Sequence, residues 1–151
     1  MASSGWCVKR YPIIPQIGNR MDDNDTLLPW PARRIDRGEL YWVAPDGTRG
    51  SVPGYPHPHL VVQDDLFNHS RIDTVIVCAL TTNLRRASEP GCVPLEPGEG
   101  GLEKRSVVLP SQISAIPKAR LGARIGRLSH ERVDQVLAGL RFLQASHFRG
   151  R

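Results

Sequence analysis

The chain has 151 residues, of which 40% are apolar and 23% charged, enough for one domain built on one core. No apolar run reaches the length of a membrane span, the start lacks a signal-peptide h-region, and the three cysteines (Cys7, Cys78, Cys92) are an odd, widely spaced set without a CxxC pair. The formal net charge is +5 and uneven: residues 117–151 alone carry +6, as a surface facing a polyanion would, although a solvated basic helix face reads the same way.

Residues 1–35 mix Pro, Gly and polar side chains without a period, and Asp22-Asp23-Asn24-Asp25 and Pro29-Trp30-Pro31 read as a poorly ordered leader outside the fold. Met21 is a second candidate start beside Met1, and the sequence does not choose between them. Glu39–Val43 is strand-like and Pro45-Asp46-Gly47 supplies a turn. Gly50, Pro53, Gly54 and Pro56 make Ser51 to Pro58 a loop, because glycine admits unusual backbone angles and proline removes a donor. A second strand follows at about His59 to Gln63. Asp64 is placed to cap a short helical turn through Phe67.

Thr74–Leu80 is the most apolar run and predicts a central, fully buried strand, stopped by the polar Thr81-Thr82-Asn83. Cys78 lies inside it and is expected to fill the core. Arg85–Pro90 reads as a loop, Val93-Pro94-Leu95 as a short edge strand, and Glu96–Gly101 as a turn. Ser106–Leu109 and Gln112-Ile113 read as two short strands, Pro117–Leu121 as one helical turn, and Ala123–Leu128 as a last strand. Ser129 then caps a helix whose Val133, Val136, Leu137, Leu140 and Leu143 recur at helical spacing. Short strands with one closing helix predict a mainly β chain, a small barrel or curled sheet rather than a layered βαβ fold.

His57 and His59 sit where the Gly/Pro loop enters the second strand. Imidazoles held there can exchange protons near neutral pH, and strand alternation puts both on one face with Pro58 between them. A zinc site is not expected, because no cysteine or third histidine has ligand spacing nearby.

The order of the pieces from Arg37 to Leu143 resembles the MazF/PemK (Kid) family of toxin endoribonucleases. The matching pieces are Arg37–Val43, Arg49-Gly50-Ser51, Pro58–Asp65, Phe67-Asn68, Ala79–Thr82, Ser106–Leu109, Gln112-Ile113, Lys118–Gly122 and Ile125–Ser129. The resemblance implies an SH3-like (CcdB-like) barrel with a C-terminal amphipathic helix, spanning residues 36–146 with a short tail at 147–151. It implies a cytoplasmic homodimer without a cofactor, which cuts single-stranded RNA at short sequences without a metal. It also implies inhibition by a cognate antitoxin, and DNA binding only jointly with that antitoxin. Its alternative is a non-catalytic barrel that binds antitoxin, RNA or DNA gyrase.

Two positions depart from the family pattern. His57 stands where the family carries an arginine before the junction proline, and Val52 where it favours a glutamate. The family threonine corresponds to Thr81 or, less well, Thr82. On this reading His57 takes the arginine's place as acid–base residue and phosphate partner, and Thr81 donates to a non-bridging oxygen. The expected RNA contacts are Ser51, Tyr55, His59, Thr82, Asn83, Arg85, Arg86, Gln112 and Ser114, through donors to phosphate and base edges or through stacking.

Overall fold

The computed structural model describes residues 33–45 and 55–149, the last four by their backbone. The leader up to residue 32, the Asp46-Gly47 turn, Ser51 and the last two residues lie outside them. The elements are β1 (Glu39–Val43), β2 (His57–Val61), α1 (Asp65–Asn68), β3 (Thr74–Thr81), β4 (Val93–Leu95), β5 (Ser106–Pro117), β6 (Leu121–Arg127) and α2 (His130–Arg149). All pairings are antiparallel, in the spatial order β4-β5-β3-β2-β1-β6. Among the described residues no helix is long and apolar enough to cross a membrane.

The central strands are apolar on both faces because each face meets a separate core. Leu40, Leu60, Cys78, Leu80, Val93, Leu95 and Val108 pack under Val133 and Val136 of α2. Their neighbours along the same strands, Tyr41, Val61 and Val77, point to the other face and pack with Ile35, Val43, Val75, Ile116 and Leu121. Burial holds the Cys78 thiol protonated, with its pKa pushed up to about 12, so it fills the core as expected.

Local signals set several ends. The Asp64 carboxylate accepts from Leu66 N at 2.9 Å and caps α1. Ser129 Oγ accepts from Arg132 N at 3.3 Å at the start of α2. That helix runs to Arg149, into the stretch expected as a tail.

Three expectations need correction. Arg33 and Ile35, assigned to the leader, are buried, with Ile35 in the second core. β2 begins at His57, not His59; Pro58 pairs with Trp42 of β1, but the β2–β3 ladder covers only His59–Val61, so on the β3 side its missing donor breaks no ladder bond. The two short strands at Ser106 and Gln112 are one strand, β5. Its pairing jumps from Ala79↔Leu109 to Cys78↔Ile113, so Pro110, Ser111 and Gln112 form a bulge that bends the strand.

The sheet curls, and its edges β4 and β6 are not joined by hydrogen bonds. The turn after β4 closes the seam by packing on β6. Gly100 and Gly101, both at positive φ, press on Gly126 and Ile125: a Cβ on Gly101 would lie 2.5 Å from the Ile125 carbonyl oxygen, and one on Gly126 would strike that of Gly100. Glu99 in this turn accepts twice from Arg132, at 2.8 and 3.2 Å, tying the seam to α2.

Candidate active site

On the face away from α2, the second core opens into a groove of about 460 Å³ at one end of the sheet. Reading across the strands, β5 contributes Gln112 and Ser114, β3 Ala79 and Thr81, β2 His57 and His59, and β1 Val43, followed by Ala44. Arg120 closes the far side and Arg86 comes from the 3₁₀ turn Leu84–Ser88. No acidic side chain lines the groove among the described residues.

The two histidines share this face, as alternation requires. His59 faces Tyr41 and Ala79 across the ladders, and His57 faces Val43. His57 is exposed and His59 half-buried. His59 Nδ1 lies 3.0 Å from the His57 carbonyl oxygen. A carbonyl only accepts, so Nδ1 carries the proton, and in the neutral ring Nε2 holds the lone pair. Burial, with smaller contributions from the charges of His57 and Arg120, pushes the His59 pKa below its ordinary value despite that hydrogen bond. His59 therefore has the form of a base.

Thr81 is half-buried at the end of β3, and its Oγ1 accepts from Asn83 N at 3.1 Å. That bond uses a lone pair and leaves the hydroxyl proton to donate. Gln112 reaches the groove because the β5 bulge carries it there, with Ser114 beyond it. Arg86 lines the groove with its guanidinium held by Glu89 at 2.7 and 3.1 Å.

The groove thus collects six of the expected residues: His57, His59, Thr81, Arg86, Gln112 and Ser114. Four others do not line it. Thr82 and Arg85 are exposed, Tyr55 is 72% exposed, and Asn83 Oδ1 caps the 3₁₀ turn by accepting from Arg85 N. Arg120 was read from sequence as part of a helical turn and of the family-like piece Lys118–Gly122, without a role at the site. The signal for it lay in the basic excess after residue 117.

Arg120 stands on a fixed support, the 3₁₀ turn Lys118–Arg120. Lys118 is wholly buried, and its Nζ donates to the carbonyl oxygens of Asn68 at 2.9 Å and Ser70 at 3.3 Å. Burial pushes its pKa down to about 8 against the opposing charge of Asp73. On the other side, Arg33 donates to the carbonyls of Gly122 and Leu121 at 2.7 and 2.8 Å.

A second polar cluster, Asp36, Asp65 and His69, brings its ligand atoms within 4.8 Å of one another. Protein donors already serve it: His69 Nε2 lies 2.6 Å from Asp36, and Asp65 accepts from Arg37 N and Asn68 Nδ2 at 2.6 and 3.0 Å. Burial opposes the Asp36 charge, but hydrogen bonds from His69 and Arg34 outweigh it and hold the carboxyl below its usual range. His69 thus has a carboxylate partner.

Residues 36–143 match the family model described as PemK-like, MazF-like toxin of type II toxin-antitoxin system. The chain is 36% identical over 107 residues to endoribonuclease MazF6 of Mycobacterium tuberculosis, covering 71% of this chain and 94% of that protein. It is 35% identical over 102 residues to endoribonuclease EndoA of Bacillus subtilis, covering 68% and 87%. Among solved structures, an endoribonuclease in complex with its cognate antitoxin from a mycobacterial species superposes with a TM-score of 0.59 at 22% identity, over 74% of this chain and 95% of that one.

Proposed function

This chain belongs to the PemK-like, MazF-like toxins of type II toxin–antitoxin systems and is an endoribonuclease. On that premise we propose that it cuts single-stranded RNA at a short sequence, without a metal, in the groove lined by His57, His59 and Thr81. The observation that carries this reading is the convergence of two imidazoles and a hydroxyl donor in one groove that no acidic side chain lines among the described residues. The 2′-oxygen attacks phosphorus as its proton passes to an imidazole, for which His59 Nε2 has the lone pair. The bond from phosphorus to the 5′-oxygen breaks, and that oxygen takes a proton from His57. The products are a 2′,3′-cyclic phosphate and a 5′-OH. His57, in the place of the family arginine, also faces the phosphate, and Thr81 donates to a non-bridging oxygen as charge develops there. Gln112, Ser114 and Arg86 flank the reacting centre and offer donors to the bases, the source of sequence preference.

The same reading makes the protein a cytoplasmic homodimer whose groove a cognate antitoxin covers, with DNA binding confined to the toxin–antitoxin complex. The test uses wild-type protein and His57→Ala, each incubated in EDTA with a long mixed-sequence RNA, with fragment ends identified. Discrete cuts with cyclic-phosphate ends, slowed about 10²–10⁴-fold in the variant, are expected. Cleavage of an all-deoxy strand, or an undiminished rate in His57→Ala, would overturn the assigned mechanism.

A further inference from the structure

The groove has an unassigned cation, Arg120, on the wall formed by the start of β6. The ladders place it: Val43 of β1 pairs with His57 on one side and with Leu121 on the other. With neighbouring strands about 4.8 Å apart, His57 and Leu121 stand about 10 Å apart across Val43. Arg120 directly precedes Leu121 and lines the same groove as His57 and Thr81. An arginine side chain and an imidazole reaching inward from those positions can meet on one phosphate group.

Its backbone is held on both sides, by buried Lys118 on the carbonyls after α1 and by Arg33 on the carbonyls of Leu121 and Gly122. Its Nη2 donates to the Ala44 carbonyl at 2.6 Å, which orients the guanidinium along the groove rim. Arg120 is also near enough to His59 for its charge to lower that ring's proton affinity.

We propose that Arg120 is the phosphate-binding cation of this site, its planar fork holding the non-bridging oxygens of the scissile phosphate from the β6 side while His57 and Thr81 approach from β2 and β3. This rests on the ribonuclease reading above. It explains how a site with histidine before the junction proline still presents a permanent positive charge: Arg120 brings it from a different strand. A guanidinium suits this work because two parallel N–H bonds match two phosphate oxygens, and its charge does not titrate.

The experiment pairs cleavage with binding for wild type, Arg120→Gln, Arg120→Lys and, as control, Arg141→Ala on the exposed face of α2. Binding of a fully 2′-O-methylated single-stranded RNA, which cannot be cut by 2′-attack, is measured against salt concentration. Loss of one phosphate contact lowers the slope of log affinity against log salt by about 0.7. Arg120→Gln should show that drop and lose about 10²–10³-fold in kcat. Arg120→Lys should keep the slope and lose tenfold or more in kcat, because it keeps the charge without the fork. Arg141→Ala should match wild type in both.

An Arg120→Gln variant with the parental slope and a kcat within threefold of wild type overturns the proposal. Where Arg120→Gln does not fold, Arg120→Lys decides, and a parental kcat in it also overturns the two-point hold. If wild type cuts no RNA but the slope still falls in Arg120→Gln, the ribonuclease reading fails and Arg120 stands as a phosphate contact. If wild type cuts RNA and neither the slope nor kcat falls in Arg120→Gln, Arg120 alone is set aside and the ribonuclease reading stands.

Discussion

One face of β1 carries two polar neighbourhoods that do opposite things. At its start, Glu39 is 1% exposed and its carboxylate is fully engaged: Tyr41 Oη donates at 2.5 Å, Asp36 N at 2.9 Å and Arg124 Nε at 2.9 Å. Arg33 lies over the Tyr41 ring at 4.7 Å, and burial with the neighbouring Glu39 charge pushes the phenol pKa far up. At the strand's end the same face opens at Val43 into the groove, where Thr81 keeps a proton to donate and His59 a lone pair. Buried charge without partners is unaffordable, so the first neighbourhood is closed on itself and structural. A site must leave donors and acceptors for a substrate, so the second is open. The difference is one of satisfaction rather than residue type.

That contrast can be broken at its closed end. Glu39→Ala leaves Arg124 and the Tyr41 hydroxyl without their carboxylate, and chemical denaturation should report a loss of about 3–5 kcal/mol. The protein that remains folded should cut RNA at nearly the wild-type rate. A stability loss below about 1 kcal/mol would mean that the cluster is not the anchor described.

Thr81→Val tests the open end in the opposite sense. Removing the hydroxyl while keeping the shape should slow cleavage about 10²–10³-fold. Losing the bond from Asn83 N should cost only about 0.5–1.5 kcal/mol of stability. Comparable losses in both measurements would place Thr81 with the structural group.

The smallest effect is the sharpest discriminator between the histidines. The His59 pKa is held below its ordinary 6.5, first by burial. A neutral His59 acting as base is active above its pKa, so the acid limb of the cleavage-rate profile should fall below 6.5, and Arg120→Gln should move it back toward that value. Stability carries the same sign. As pH falls below about 6.5 the unfolded chain takes up the proton more readily than the folded one, so wild type loses stability there relative to His59→Gln. An acid limb at or above 6.5 that does not respond to Arg120 would remove His59 from the base's role.

Local chemistry was legible from the chain alone. The Asp64 cap, the apolar run from Thr74, the closing helix with its Val133–Val136 stripe, and the pairing of His57 and His59 on one face all follow from spacings of two to four residues. Such spacings are set by backbone geometry whatever surrounds them. The family resemblance extended this reading to the barrel and to RNA cleavage. What distant contacts decide was not legible. Arg33 reads as leader until Leu121 and Gly122 bring it carbonyls. β5 reads as two strands because Pro110 hides a bulge that only the β3 ladder reveals. Arg120 reads as one more basic residue until β1 aligns Val43 between His57 and Leu121, the residue that follows it. The sequence by itself determined the elements, their apolar faces and the histidine pair, because these depend on periodicity and turn chemistry. Only the tertiary structure decided which charges are buried in pairs and which line the groove, because that depends on which strands the sheet places side by side.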